Sequence, residues 1–254
     1  MRKHTNSSIS FAKYSINKVG VNFVGVLKLF INSIKSVFLV TGLSFISLCA
    51  YAGGGIGLGA TRVIYPIKLQ QVPLTIKNTS DNYFLIDSWV EDEDGNQTKD
   101  FIITPPVYVS NPTSENALKV IKIVDNIPPG KEKLYYINIK SVPSVDKKLL
   151  EDQNILQLAI VSKIKLLARP EDLPVVDNPE KQVKIIKRDN HFFLKNPTPY
   201  YINMIQTYVN GERLKDNITL EPLSELKLNR SINTFKFQTI NDYGAETSPI
   251  DLTP

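Results

Sequence analysis

The chain has 254 residues, 42% of them apolar and 22% charged, which is enough to bury one or two cores and too apolar for a disordered or collagen-like polymer. Its formal net charge of +5 is unevenly spread: residues 1–52 hold six basic side chains (Arg2, Lys3, Lys13, Lys18, Lys28, Lys35) and no acid, leaving 24 basic against 25 acidic groups elsewhere. A body of net charge −1 offers no basic footprint for nucleic acid, so no nucleic-acid partner is expected.

Taken in chain order, residues 1–52 read as an extended export signal. A basic, acid-free stretch precedes the apolar run 37–50 (VFLVTGLSFISLCA), and Ala50-Tyr51-Ala52 fits the small-x-small pattern of a cleavage site. The mature chain would then start near Gly53. A weakly apolar stretch, 19–34, lies ahead of that run, and an uncleaved membrane anchor is the competing reading. The 37–50 run is shorter than the roughly 20 residues a bilayer span needs. Cleavage would also remove Cys49, the only cysteine, so no disulfide would constrain the mature chain.

After Gly53 the chain consists of short runs rich in Val, Ile, Tyr and Phe, separated by turn residues, the pattern of an all-β sandwich. Strands are expected over 59–64, 72–78, 84–91, 101–104, 118–123, 134–140 and 155–168. Asp94-Gly95 is a hairpin signal between the third and fourth of these. The proline- and acid-rich stretch 169–179 (RPEDLPVVDNP) reads as the end of a first domain and a linker. Further strands, over 183–187, 191–195, 201–209, 224–228 and 234–240, suggest a second, smaller sandwich. No internal repeat is visible.

The segment 156–168 (LQLAIVSKIKLLA) is longer than an ordinary strand. Leu156, Leu158 and Ile160 share one face at period two, and Lys163 and Lys165 lie on the other. Spacing leaves two readings open. The faces are simply core and solvent, or the strand is an edge that offers backbone and side chains to a partner.

Residues 57–66 (GLGATRVIYP), Ser88-Trp89-Val90, 101–106 (FIITPP), 156–170 (LQLAIVSKIKLLARP), 196–201 (NPTPYY) and 239–244 (TINDYG) together resemble, in the same order, the periplasmic pilus-assembly chaperones of the chaperone-usher pathway, the PapD and FimC type. The resemblance implies an all-β fold of two immunoglobulin-like β-sandwich domains at an angle with a cleft between them, 53–170 and 180–254, joined by the linker 171–179. It implies a periplasmic protein, not an enzyme and needing no cofactor or metal. Such a protein binds, folds and caps fimbrial subunits by donor-strand complementation and delivers them to an outer-membrane usher. By position in the motifs, Arg62 and Lys165 would hold the subunit's C-terminal carboxylate. Leu156, Leu158 and Ile160 would be the lent strand's side chains, and Glu132, Arg169 and Asp242 an ionic network between the domains. Leu167-Ala168 stand where relatives often carry aromatics. The short connection 142–154 resembles that of members serving rod-like pili. A free chaperone with an exposed donor edge is also expected to cap itself as a homodimer.

Other assignments are weaker. An exported fimbrial subunit or adhesin is the alternative from another class, but such subunits usually carry a cysteine pair and an N-terminal donor extension, and the chain after the leader has no cysteine. His191 is the only histidine after the leader, so His-based catalysis and metal clusters have no partner set. The run 91–96 (EDEDGN) lacks the glycine and glutamate spacing of a calcium loop and reads as a solvated hairpin. Asn78, Asn96, Asn217 and Asn229 begin glycosylation-like triplets that arise often by chance. Trp89 is expected in the core.

Overall fold

The computed structural model describes residues 27–28, 30–34, 54–124, 127–145 and 156–254. The first two pieces are helical, and among the described residues no helix is long and apolar enough to cross a membrane. The expected cleavage site, Cys49, the 37–50 run and most of the 142–154 connection lie outside the described residues.

The body, 54–254, is two sandwiches. In the first, one sheet has the order β1 (Ile56–Leu58), β3 (Gln71–Asn78), β7 (Glu115–Lys122), β5 (Phe101–Thr104). The facing sheet runs β2 (Arg62–Pro66), β9 (Ile160–Arg169), β8 (Lys133–Pro143), β4 (Phe84–Glu91), β6 (Val107–Ser110). All pairings are antiparallel except β2 with β9. Alternate residues of both sheets fill one core that includes Val63, Tyr65, Leu74, Ile86, Leu118, Ile137 and Leu166. Phe101 from one sheet makes edge-to-face contacts with Tyr65 and Tyr135 from the other, at 5.0 and 4.9 Å between ring centres. Burying two tyrosines requires partners for their hydroxyls: Tyr65 donates to the Leu69 carbonyl (2.9 Å) and Tyr135 to Asp100 (2.6 Å).

In the second sandwich, a three-stranded sheet β10 (Lys184–Arg188), β11 (His191–Lys195), β15 (Glu225–Leu228) faces a five-stranded one. That sheet runs β13 (Glu212–Arg213), β12 (Ile202–Val209), β16 (Phe235–Thr239), β17 (Ile250–Leu252), with β14 (Ile218–Leu220) also on β12. Leu194, Met204, Leu220, Phe235 and Phe237 are central to its core.

The all-β, two-sandwich expectation holds, with local corrections. The strand expected over 59–64 is broken: β1 and β2 belong to opposite sheets, and the chain crosses between them at Gly59. There the amide donates to the Thr75 carbonyl (2.8 Å), and a Cβ would come within 2.9 Å of the Thr75 side chain. The Asp94-Gly95 turn forms, with Gly95 at φ +84° and the Asp92 carboxylate accepting the Asn96 amide at 2.8 Å. It does not join paired strands, because β5 follows in the other sheet. Trp89 is not core. It shares the outer face of β4 with Asp87 and Glu91 and donates its indole N–H to Glu91 (2.8 Å). His191 is an exposed strand residue.

A repeat invisible in the sequence joins the two sandwiches. Buried Asn78 donates to the carbonyls of Asn82 and Asn111, both at 2.8 Å, and accepts from the Ser80 amide and hydroxyl. Buried Asn196 does the same with Tyr200 and Glu221, and with Thr198. Behind each corner lies a Pro-x-Ser turn with its middle residue left-handed: Thr113 at φ 47° and Leu223 at φ 53°. Asn78, the first of the glycosylation-like triplets, is therefore a structural asparagine with its side-chain amide fully used.

Candidate functional site

The parallel pairing of β2 and β9 sets Arg62 beside Lys165. Because side chains alternate, Val63, Tyr65, Leu166 and Ala168 enter the first core, and Arg62, Lys165, Leu167 and Arg169 turn the other way. That face meets the second sandwich along a cleft of about 450 Å³ lined by Arg62, Arg169, Tyr200, Asn203, Ile240 and Asp242, among others.

Arg62 is 8% exposed. Its Nη1 donates to the Ile240 carbonyl (2.8 Å), and its Nε is buried without a partner among the described residues. Burial lowers its pKa from the ordinary value, while Asp242 and Glu132 pull it back. The Lys165 ammonium donates to Asn203 Oδ1 and to Thr219 Oγ1, both neutral. Burial, and secondarily the Arg62 charge, bring its pKa down to about 8. The two cations stand side by side next to the cleft, each donating to neutral acceptors, with Arg62 on its lining and Asp242 and Glu132 near enough to act on Arg62.

Arg169 lies on the same face, four residues beyond Lys165. Its Nε donates to Glu132 Oε1 (2.6 Å) and its Nη1 and Nη2 to the two oxygens of Asp242 (2.6 and 3.0 Å), while the guanidinium sits over the Tyr200 ring. Burial works against its charge, but Asp242 and Glu132 outweigh this and hold its pKa above the ordinary value. Glu132, 2% exposed, accepts the Tyr201 amide on its second oxygen (2.8 Å). Glu132 and Arg169 belong to the first sandwich, Tyr201 and Asp242 to the second. A further link runs from the Tyr201 hydroxyl to Glu93, at 3.3 Å. Gly244, at φ +82°, completes the 241–244 turn where it meets Thr61; a Cβ there would lie 2.5 Å from Thr61 Oγ1.

At the other end of the strand, β9 begins at Ile160, so Leu156 and Leu158 precede it rather than lie within it. Leu156, Leu158 and Ile160 are 82%, 65% and 65% exposed. They continue the parity of Leu166, a core residue, and of Ile164, which is partly buried against that core. β8 pairs with β9 from Ile160 to Ala168, whereas β2 pairs only with 165–169. Among the described residues, 160–164 therefore present one unpaired backbone edge under an exposed aliphatic row. An isolated edge of this kind is a site for strand addition.

Sequence reasoning did not find Asn203, Thr219, the Ile240 carbonyl or Tyr201. The first three meet Lys165 or Arg62 and Tyr201 meets Glu132, all from the second sandwich, and no motif spacing signals a contact across sandwiches.

The structure thus combines two immunoglobulin-like sandwiches, a cleft between them flanked by the Arg62 and Lys165 cations, and an exposed aliphatic row along β9. Residues 55–174 match the family "Pili and flagellar-assembly chaperone, PapD N-terminal domain", and residues 178–250 match "Pili assembly chaperone PapD, C-terminal domain". The chain is 39% identical over 220 residues to the probable fimbrial chaperone SfmC of Escherichia coli K12, covering 84% of this chain and 95% of that protein. It superposes on the crystal structure of the periplasmic chaperone SfaE with a TM-score of 0.67 at 35% identity, over 79% of this chain and 100% of that one. The SafB chaperone, solved with the SafA pilin of Salmonella enterica, gives a TM-score of 0.70 at 25% identity over 79% and 96%. The chain belongs to the PapD-like family of pilus-assembly chaperones of the chaperone-usher pathway.

Proposed function

We propose that the protein works in the periplasm, after loss of residues 1–52, and that it caps fimbrial subunits by donor-strand complementation before handing them to an outer-membrane usher. The observation that carries this reading is the open edge of β9 at 160–164 with its exposed aliphatic row. A subunit lacking a strand exposes both apolar core and unpaired backbone; Leu156, Leu158 and Ile160 supply the first and the β9 edge the second. Binding by SafB of a pilin supports the same partner class.

Arg62 and Lys165 anchor the subunit's C-terminal carboxylate. The Arg fork and the Lys ammonium suit a carboxylate geometrically, and two charge-assisted bonds are worth about 1.5–3 kcal/mol each. Fixing one chain end fixes register, which matters because a slip of one residue would turn every side chain to the wrong face. The Glu132–Arg169–Asp242 network keeps the two domains, 53–170 and 180–254, at a set angle about the 171–179 linker. Free protein pairs its bare edge with that of a second copy.

The test is a periplasmic pull-down of the tagged protein and of a folded Arg62→Ala, Lys165→Ala double variant, with bound proteins identified by mass spectrometry. Recovery of fimbrial subunits by the native form alone is the expected result. Equal recovery by both would reject the anchor, and absence of subunits from both under fimbriated growth would reject the chaperone cycle described here.

A further inference from the structure

The two anchor cations sit on the first sandwich, yet among the described residues every acceptor of their side-chain hydrogen bonds comes from the second. Lys165 donates to Asn203 on β12 and Thr219 on β14, which are register partners, and Arg62 donates to the Ile240 carbonyl just after β16. These acceptors are tied to one another. The Ile240 amide donates to the Asn203 carbonyl (3.4 Å), and Asn203 and Thr219 side chains are within 3.4 Å. They are also tied to the ionic network by short stretches of chain. Glu132 grips the Tyr201 amide, two residues before Asn203, and Arg169 grips Asp242, two residues after Ile240.

We infer that the second sandwich is part of the carboxylate anchor: Asn203 and Thr219 are positioning residues that hold the Lys165 ammonium, the Ile240 carbonyl positions Arg62, and the Glu132–Arg169–Asp242 network keeps those acceptors in place. This rests on the carboxylate-anchor reading above and gives the interdomain ion pairs a task beyond setting an angle. Without such acceptors, a half-buried ammonium beside a guanidinium loses its proton or swings away. With them, it keeps its charge and one direction free for an incoming oxygen. Thr219 and Asn203 are neutral, so they orient the cation without neutralising it.

The probe is a synthetic peptide of alternating aliphatic residues with a free C-terminal carboxylate, compared with its C-terminally amidated twin, binding to the full mature chain. The wild type prefers the free acid. That preference is flat below pH 8 and falls about tenfold per unit above it, because the anion needs the charged ammonium and Lys165 titrates at about 8. The charges acting at the site are Arg62 beside Lys165, and Asp242 and Glu132 on Arg62. In Asn203→Leu the preference drops about tenfold or more and its midpoint moves to lower pH, since the charged form has lost an acceptor. In Asn203→Asp the preference also drops, because the new carboxylate competes for the cation, but the midpoint moves to higher pH. Thr219→Ser keeps the wild-type profile and Thr219→Val does not.

Opposite midpoint shifts with a shared loss of preference cannot come from a general loosening of the fold. Unchanged preference in Asn203→Leu, or the same midpoint in all variants, overturns the inference. If the wild type binds acid and amide equally, the anchor reading itself fails. The Lys165 side-chain titration, followed by NMR in the same variants, still decides the positioning role: a midpoint unmoved by Asn203→Leu overturns it, and a downward shift supports it.

Discussion

The two sandwiches are built on the same corner and differ at their edges. Asn78 and Asn196 make matching sets of hydrogen bonds in matching places, so the corner is what the shared fold requires. The second sandwich closes its sheets with strands of two or three residues, β13, β14 and β17, and with β10, whose sequence KIIKR places Lys184, Lys187 and Arg188 on an outer strand. These are the usual ways of blunting an edge. The first sandwich does the opposite along β9, where residues 160–164 leave backbone unpaired beneath exposed aliphatics. One chain thus holds both a protected and an unprotected solution. The bare edge is therefore not a weakness of the architecture.

Leu158→Asp breaks this contrast most. Setting a charge into an apolar groove costs several kcal/mol, so subunit capture falls about a thousandfold or more with an unchanged unfolding curve; the same change at Lys187 on β10 leaves capture intact. Native-like capture by Leu158→Asp would reject the lent-strand assignment. Next in size, Asn78→Ala and Asn196→Ala each strip several partners from buried groups and each lower stability by about 3 kcal/mol in chemical denaturation. A large difference between them would mean the corners are alike in shape only. The smallest effect comes from Lys184→Val with Arg188→Val, which makes β10 resemble the β9 edge: sedimentation should show added concentration-dependent association, and unaltered sedimentation would mean that β10 charge does not protect that edge.

Alternation over 84–91, 101–104 and 191–195 was sufficient to place β4, β5 and β11 to the residue, because each has one core face and one wet face. It missed β1, β6, β13, β14 and β17, which offer at most two alternations each, whereas the run of large apolar residues Phe101-Ile102-Ile103 marks the similarly short β5. It failed again at Trp89, where hydrophobicity pointed inward and the indole N–H found Glu91 on the outer face. The corners stayed hidden because Asn78-Thr79-Ser80 and Asn196-Pro197-Thr198 share only an Asn and a hydroxyl. The positions of Arg62 and Lys165 were suggested by resemblance, since nothing in spacing predicts that β2 and β9 run parallel in register. Asn203 and Thr219 were illegible, as contacts between sandwiches leave no local pattern.

The turn at Gly244 has a consequence for how the chain tolerates change. Where the two sandwiches approach, a carbon on Gly244 would lie 2.5 Å from Thr61 Oγ1, so that hydroxyl would have to turn away. The approach is close on both sides, and the Glu132–Arg169–Asp242 ion pairs lie beside it. The stretch 171–179 is itself seated at this junction: Leu173 is buried, the Pro174 carbonyl accepts the Tyr200 hydroxyl (3.0 Å), and Val175 and Val176 line the cleft. Insertions in 171–179 would disturb those contacts, while a side chain at Gly244 would be strained by its φ of +82° and would push the Thr61 hydroxyl aside.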